Sequence, residues 1–376
     1  MKKSIVFIVA LGFFGANLTL PASAAIKAGT KCTSIGQVKA SGSKQFICTK
    51  SGKKLIWKAQ ASVPTAPTSF KDLEVNSGGI PYSAWSSVQA NIKAFPAAKT
   101  KVTSIFGPST PKRYATEITE KMVLLGSRAM GSIAQPSEIK FYNFNKADVS
   151  WAKEAATQFV SPFRLGESLP QQAEKLCAGE DCNGAISNYV SGIGVVLVGV
   201  STPVTRYGDL TRFNGQNDLH EYVHAVQGII FANKRPNPPP TLIPCWYSEG
   251  QPQAVSILTS AATMKDYLNL RKDWFSKNMR WPMSDTSAGT IEKFLADNMK
   301  VPCPEATNLA NYTVGFAVME TLISIGGIDK SFDLLKKVAD GSSFEAAFES
   351  EYLIPWAEAA PIVARIVSKT VTEARK

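Results

Sequence analysis

The chain of 376 residues contains only two histidines, which lie four positions apart in the run His220-Glu221-Tyr222-Val223-His224. Residues four apart lie on one face of a helix, with Cβ atoms about 5–6 Å from each other. Two imidazole rings at that spacing can bind one metal ion at about 2.0–2.1 Å. A carboxylate directly after the first histidine can hold a water molecule on the same ion. The spacing therefore predicts a metal site on a helix, with Glu221 as its base.

A catalytic zinc site needs three protein ligands and an open position for water. Because the chain has no third histidine, a carboxylate must complete the set. Glu249 is the best candidate, since it follows a proline-rich loop at 234–244 and lies near the start of a predicted helix. Gly250 would let the backbones of neighbouring helices approach closely there. Asp218 is an alternative ligand, but a residue two positions before His220 faces away from it on a helix.

The pattern H-E-x-x-H, then a loop, then W-x-x-E-G beginning at Trp246, resembles that of gluzincin metallopeptidases, the peptidase MA-like superfamily. A second segment, Tyr-x-x-Gly from Tyr312 to Gly315, resembles a helix of the aminopeptidase branch of that superfamily. The resemblance covers roughly residues 138–371. It implies a zincin-like α+β fold, in which a small sheet is followed by a helical lobe, and hydrolysis of peptide or protein substrates with bound Zn²⁺.

The resemblance also implies a role for each residue of the motifs. His220, His224 and Glu249 would bind zinc. Glu221 would take a proton from a water molecule on the zinc and pass it to the leaving amine. Zinc lowers the pKa of such a water towards ~7 and polarises the scissile carbonyl. The hydroxyl of Tyr312 would donate a hydrogen bond to the oxyanion.

The chain departs from the gluzincin pattern after Glu249. Pro252 lies where the helix should continue, and is tolerable only if that helix starts near Ser248. Gln251 and Gln253 replace apolar and aromatic residues. The Gly-x-Met-Glu-Asn segment with which the aminopeptidase branch grips a free amino terminus is missing, and the predicted strand at 194–200 contains no acid. These departures favour an endopeptidase, or a narrower amide hydrolase, over an aminopeptidase.

Each part of this interpretation has a structural alternative. The histidines could be a surface pair without a metal, Glu249 could be a carboxylate favoured by a helix dipole, and Tyr312 could be a core aromatic. The whole chain could also be a non-catalytic protein of the cell envelope that retains a metallopeptidase scaffold.

The first 24 residues have the pattern of a secretory signal peptide. Lys2 and Lys3 precede an apolar stretch, and small residues around Ala22 and Ala24 predict cleavage after Ala24. The alternative, a membrane anchor, is disfavoured because the apolar run is short and interrupted. No later segment approaches the ~18 apolar residues that would span a bilayer. We therefore expect a secreted or envelope-associated protein.

Six cysteines in an exported chain predict three disulfides. Six cysteines allow 15 connectivities, and proximity in the sequence favours Cys32–Cys48, Cys177–Cys182 and Cys245–Cys303. A cysteine metal site is the alternative, but the chain has no C-x-x-C spacing.

Most of the net charge lies in a short module. The formal charge is +11, or +9 without Lys2 and Lys3, and residues 25–58 hold eight lysines and no acid. This segment resembles small disulfide-linked, lysine-rich modules at the front of some secreted bacterial proteins. Its charge would attract an anionic polymer or lipid headgroups of the envelope, unless it only solubilises the chain. Nucleic acid is not expected, because no basic groove with interspersed aromatics follows.

Turn signals and periodicity divide the mature chain into a β-rich module at 25–58, a linker at 59–69 and a domain at 70–376. Asp148 is predicted to cap its helix. The helices predicted in the domain span residues 82–95, 115–130, 148–159, 209–231 and 246–270, with a run of helices over 312–371. The predicted strands span residues 45–48, 55–57, 138–144 and 194–200.

Overall fold

The structure is a computed structural model that describes residues 26–41, 44–60, 63–112, 116–160, 168–201, 214–232, 234–235, 242–276, 283–299, 303 and 309–375. The predicted signal peptide lies outside these residues. The chain divides into two compact units after Val63. The third strand of the first unit runs to Gln60, which is two residues into the predicted linker.

The first unit is a three-stranded antiparallel sheet in the order β1-β2-β3. The strands are β1 (Val38–Ser41), β2 (Lys44–Ser51) and β3 (Lys54–Gln60). The sequence predicted the centres of β2 and β3 but not β1. A small core of Cys32, Phe46, Cys48 and Trp57 closes one side of the sheet, and the Cys32–Cys48 disulfide runs through it. A unit this small buries little apolar surface, so the disulfide compensates for a limited core.

The second unit contains a four-stranded sheet in the order β4-β5-β7-β6. The three strands β4, β5 and β7 are parallel, and β6 pairs antiparallel with β7 at one edge. The predicted strands at 138–144 and 194–200 correspond to β5 and β7, whereas β4 and β6 were not predicted. The strands are β4 (Lys101–Phe106), β5 (Glu138–Phe144), β6 (Ala185–Val190) and β7 (Ile193–Gly199).

Eleven α-helices in the described part of the second unit surround and follow this sheet. Their combination with the two small sheets confirms the predicted α+β class. The helices are α1 (Ile80–Ala94), α2 (Thr116–Ala129), α3 (Val149–Ala156), α4 (Leu169–Lys175), α5 (Gln216–Phe231), α6 (Cys245–Ser260), α7 (Met264–Phe275), α8 (Ala288–Asp297), α9 (Ala310–Ala339), α10 (Phe344–Tyr352) and α11 (Trp356–Ala374).

The four-stranded sheet is covered on both faces because its strands are apolar on both. Phe141, Val196 and Val198 join a large core with α1, α2 and α5. Their neighbours in sequence, such as Tyr142 and Leu197, face the other way and join a smaller core with α3 and α4. This alternation follows from the two-residue period of a strand. The large core continues through α6 to α11, so the sheet and the helical lobe share one interior.

Two predicted helices differ from the described ones or run beyond them. Residues 209–213 of the helix predicted over 209–231 lie outside the described residues, and the described helix begins at Gln216, after Gly215, which has a left-handed backbone with φ of 76°. The single helix predicted over 246–270 is wrong: α6 ends at Ser260 and α7 begins at Met264. The side chain of Thr263 caps the second helix by accepting a hydrogen bond from the backbone N–H of Asp266, and this capping favours a new start.

The predicted capping role of Asp148 is also wrong. Its carboxylate accepts hydrogen bonds from the backbone N–H of Ser109 at 2.9 Å and from the hydroxyl of Thr110 at 2.5 Å. Asn145 caps the short 3₁₀ turn before α3, accepting hydrogen bonds from the backbone N–H groups of Ala147 and Asp148. The buried Asp148 therefore ties the loop after β4 to the turn after β5.

The three disulfides predicted from proximity are confirmed: Cys32–Cys48, Cys177–Cys182 and Cys245–Cys303. Among the described residues, no helix combines the length and the apolar composition that crossing a bilayer requires. Helix α9 is interrupted at Gly327, where φ of 70° is not helical.

Helices α6 and α9 approach so closely that their backbones touch at two glycines. A Cβ atom added to Gly315 would lie 2.2 Å from the carbonyl oxygen of Trp246 and 2.8 Å from the Cα atom of Gly250. A Cβ atom added to Gly250 would lie 2.4 Å from the carbonyl carbon of Gly315. The prediction that Gly250 permits a close approach is therefore confirmed.

We expect Gly315→Ala to lower the free energy of unfolding by at least ~1–3 kcal/mol, because the added methyl group must push two helix backbones apart. Urea unfolding of the full chain measures the change. Gly289→Ala is the matched control, since nothing lies within 4 Å of its added Cβ in the exposed first turn of α8. The control should keep or slightly raise stability. Equal stability of the two variants would contradict the close contact.

Candidate metal centre

Helix α5 carries the histidine motif through the middle of the second unit. Its apolar residues recur at the helical period and pack into the large core, so the helix is held along its length. These residues are Leu219, Tyr222, Val223, Val226 and Ile230. The two histidines, four apart on the remaining face, have ring centroids 4.9 Å from each other. The histidine motif therefore lies on a helix, as predicted.

The structure brings His220, His224 and Glu249 together as one group. Oε2 of Glu249, on α6, lies 3.4 Å from Nε2 of His220 and 3.2 Å from Nε2 of His224. One ligand atom from each residue lies within 4.8 Å of the other two. Ligand atoms of a tetrahedral ion with bonds of about 2.0–2.1 Å lie about 3.3–3.4 Å apart. Two imidazole nitrogens and a carboxylate oxygen at these separations fit a zinc ion.

Within this group, the buried charges of His224 and Glu249 stabilise each other. Burial opposes the charged form of His224, but the carboxylate of Glu249 outweighs it and raises the pKa of His224 to about 9. Burial acts to raise the pKa of Glu249 as well, and the two histidines overcome it and hold that pKa well below its usual range.

Glu221 lies against the same group. Only 6% of its surface is exposed, and among the described residues its Oε2 atom has no hydrogen-bond partner. Burial raises its pKa; the neighbouring histidines oppose this rise and Glu249 adds to it. The backbone carbonyl of Glu221 accepts a hydrogen bond of 2.9 Å from the hydroxyl of Ser187 on the edge strand β6. A buried carboxylate oxygen without a partner is available to accept a hydrogen bond from a water molecule.

Tyr312 lies in the first turn of α9 and packs against the ring of His220. The two rings are stacked, with centroids 5.9 Å apart and planes inclined by 27°. Tyr312 is half-buried. The structure therefore brings the predicted oxyanion donor to the edge of the histidine group.

Asp218, the alternative ligand, points elsewhere. Its carboxylate is buried and accepts a hydrogen bond of 2.7 Å from the hydroxyl of Thr119 on α2. Asp218 does not belong to the group of residues that could hold an ion. The geometric expectation that it faces away from the histidines is therefore confirmed.

The expectation about Pro252 is wrong. Helix α6 begins at Cys245, so the proline lies inside it and not in its first turn. A proline has no N–H to donate to the carbonyl four residues back, which is that of Ser248. The side chain of Gln227 replaces the missing donor, with its Nε2 atom 3.1 Å from the oxygen of Ser248. The helix continues because α5 satisfies the freed carbonyl.

Sequence reasoning missed two neighbours of the ligands. Gln227, one turn after His224 on α5, has Oε1 at 2.9 Å from Nδ1 of that histidine. Its spacing of three residues was a signal that could have been used. Sγ of Cys303 lies 3.7 Å from Oε1 of Glu249, so the Cys245–Cys303 disulfide borders the ligand group. No local sequence signal links Cys303 to Glu249.

Comparison with protein families, with curated proteins and with solved structures finds no match to this chain. The resemblance to gluzincins, the bound metal and the peptidase activity therefore stay predictions.

We expect the mature chain to bind one zinc ion, measured by competition with a chromogenic chelator. Glu249→Ala should weaken binding by more than the 10–100-fold that is typical of losing an outer partner, because a ligand itself is removed. Asp218→Asn is the matched control, since it keeps an acceptor for Thr119 and should leave the zinc affinity unchanged. Loss of zinc in the control but not in Glu249→Ala would assign the third ligand to Asp218.

Proposed function

We propose that this protein is a secreted zinc-dependent metallopeptidase, with the zincin-like fold of gluzincins, that hydrolyses peptide bonds. The observation that carries the proposal is the convergence of His220, His224 and Glu249 beside the buried, unpartnered carboxylate of Glu221. A chain that uses histidine nowhere else holds both histidines against one carboxylate in its interior. A purely structural pair would not require an adjacent glutamate with an unused buried oxygen.

The proposed chemistry is general base catalysis by Glu221. Zinc, when bound by His220, His224 and Glu249, supplies Lewis acidity that polarises a carbonyl group and acidifies water. Glu221 accepts the proton of the attacking water and then delivers it to the departing amine. Burial raises the pKa of Glu221, which makes it a stronger base than a surface carboxylate. The hydroxyl of Tyr312, beside His220, is the proposed donor to the developing oxyanion.

The edge strand β6 favours a peptide as the substrate. Strands β6 and β7 are joined by the two-residue turn Ser191-Gly192, with φ of 49° and 89°, as in a type I′ hairpin. The closing pair of such a hairpin is hydrogen-bonded, so the backbone of Ser187 points away from β7. Ser187 also contacts the backbone of Glu221. Among the described strands that edge is unpaired, and an extended peptide added to it would run past the proposed base.

An endopeptidase is favoured over an aminopeptidase. Strand β7, where an acidic group for a free amino terminus would fall, carries only glycine and aliphatic residues. The described neighbours of the ligand group on β6 and α9, Ser187 and Tyr312, are neutral as well. Unless an anion other than Glu221 and Glu249 faced it, a charged amino terminus would lose its hydration uncompensated, and neither of the two neutral neighbours supplies one.

Export from the cell is supported by the three disulfides, which persist in oxidising compartments.

A second candidate function, which is compatible with the first, is binding to an anionic polymer of the cell envelope. Seven of the eight lysines of residues 25–58 have described side chains, and all seven are exposed. The first unit contains no acidic side chain that could neutralise them. Such a surface attracts polyanions in a salt-dependent way. If the ligand group bound no metal, this binding would be the remaining function of the chain.

The decisive experiment on catalysis compares Glu221→Gln with the parent chain. The variant keeps the shape of the side chain but removes the base, so it should retain zinc and lose ~10²–10⁴-fold in kcat. Hydrolysis of a quenched fluorescent peptide library and the zinc content are measured on the same samples. Full hydrolysis by the variant, or hydrolysis that survives complete removal of zinc, would contradict the proposal.

Tyr312→Phe tests the oxyanion donor in the same assay. Removal of one such donor costs about 10²–10³-fold in kcat, while KM and zinc content should stay close to those of the parent, because the aromatic ring is kept. An unchanged kcat would reduce Tyr312 to a packing partner of His220.

Binding to the envelope is tested by retention of the mature chain on purified bacterial cell wall. We expect binding to weaken steeply between low and high salt, because screening shortens the range of exposed charges to about 3 Å at 1 M. A variant with Lys50, Lys53, Lys54 and Lys58 changed to Gln should bind weakly at every salt concentration. Retention that is insensitive to salt would rule out the electrostatic mechanism.

A further inference from the structure

We infer that Gln227, Gln251 and Ser331 form a buried hydrogen-bonded chain that fixes the tautomer and orientation of His224, so that its Nε2 atom presents a lone pair to the metal. The inference rests on the proposed function, since it concerns the zinc site. It assigns the three residues as positioning residues, because none of them touches the group of ligand atoms directly.

The chain is continuous and sealed from solvent. Nδ1 of His224 lies 2.9 Å from Oε1 of Gln227, whose Nε2 donates to Oε1 of Gln251 at 2.9 Å. Nε2 of Gln251 donates to the hydroxyl of Ser331 at 2.9 Å, and that hydroxyl donates to the carbonyl of Ile328 at 2.6 Å. Gln227, Gln251 and Ser331 are each at most 1% exposed. These three side chains are therefore shielded from bulk solvent.

The direction of the chain is set by backbone carbonyls, which can only accept. The oxygen of Ser248 lies 3.1 Å from one end of the Gln227 amide, so that end must be the nitrogen. The oxygen of Gln227 must then face His224. An acceptor there requires a hydrogen on Nδ1 of His224, and a neutral ring protonated on Nδ1 carries its lone pair on Nε2. Nε2 is the atom that faces Glu249.

Pro252 is the reason that the oxygen of Ser248 is available. In an uninterrupted helix the N–H of residue 252 would occupy that oxygen. The proline removes this donor, and Gln227 takes its place. Two of the departures from the gluzincin pattern, Gln251 and Pro252, thus both allow the hydrogen bonds of the Gln227 amide that holds His224.

The same chain joins three helices around the site. Gln227 belongs to α5, Gln251 to α6, and Ser331 to the part of α9 that follows the break at Gly327. Ser331 also accepts, through its backbone carbonyl, a hydrogen bond of 2.7 Å from the hydroxyl of Tyr247. The far end of the chain is therefore anchored to the packed core, and His224 is oriented relative to three elements.

The test compares zinc affinity in two substitutions of one residue. Gln227→Leu removes the acceptor for Nδ1 and should weaken zinc binding by ~10–100-fold. Gln227→Glu keeps the acceptor for Nδ1, so its zinc affinity should exceed that of Gln227→Leu, even though a buried carboxylate that faces the oxygen of Ser248 lowers stability. If Gln227 only filled space, Gln227→Leu would bind zinc more tightly than Gln227→Glu, because leucine fills the site without burying a charge. Gln253→Leu, the same change two residues after Gln251 in α6, is the control and should bind zinc as the parent does.

The second readout is the state of the ring itself. The chain has only two histidines, so labelling with ¹⁵N-histidine gives the spectra of two rings. In the zinc-loaded parent we expect one ring with a slowly exchanging Nδ1–H, and loss of that protection in Gln227→Leu but not in Gln253→Leu.

The possible failures are distinguishable. If the parent binds zinc and Gln227→Leu matches Gln253→Leu in affinity and in ring spectrum, the inference is overturned and the proposed function stands. If the parent binds no zinc at its two histidines, the proposed function fails and the inference with it. Gln251→Leu, which removes the next bond of the chain, should give a smaller weakening than Gln227→Leu, and a larger one would overturn the order of the chain.

Discussion

The close contact of α6 and α9 at Gly250 and Gly315 is the constraint on which the site depends. Glu249 precedes Gly250, so the side of α6 that touches α9 and the residue that reaches the histidines are adjacent in sequence. Tyr312 lies one turn before Gly315 on the other helix. Any side chain larger than hydrogen at this crossing would separate the backbones by more than the tenths of an ångström that a hydrogen-bonded ligand group tolerates. The candidate metal centre therefore depends on the close approach of the two helix backbones, which sets the positions of Glu249 and Tyr312.

Burying four ionisable groups together is costly, and the structure offsets the cost with complementary charge. Glu249 faces both histidines, while Glu221 keeps an oxygen without a partner. Elsewhere in the described core a buried charge is paired in a conventional way, as Arg271 is with Glu320. The contrast matters because a structural ion pair satisfies its atoms, whereas the histidine group leaves capacity for an added ligand. The two kinds of buried charge therefore differ in whether a polar atom is left without a hydrogen-bond partner.

Much of this arrangement follows from local sequence signals, and the rest depends on contacts between distant segments. The helix of the histidine motif, its partner Glu249 and the need for glycine at 250 could be predicted because spacing and residue type carry them. Strand β6 could not, since its residues alternate without a strong apolar pattern and its place is fixed by pairing with β7. The role of Asp148 was misjudged because its partners lie almost forty residues earlier. Pro252 was misjudged because the group that compensates for it belongs to another helix.

The Cys245–Cys303 disulfide restrains the start of α6 as well. It joins the first residue of the helix that carries Glu249 to the segment that precedes α9, closing a loop of 58 residues. Loop closure of that length removes about 4 kcal/mol of conformational freedom from the unfolded chain in the entropic account. In the folded chain the sulfur of Cys303 lies beside Glu249. The glycine contact holds α6 against α9, and the disulfide ties the start of α6 to the segment before α9. The carboxylate of Glu249 therefore lies between the disulfide and the two histidines. A side chain restrained in this way would not need to be ordered by the proposed metal ion, so more of the binding free energy would be left to hold the ion.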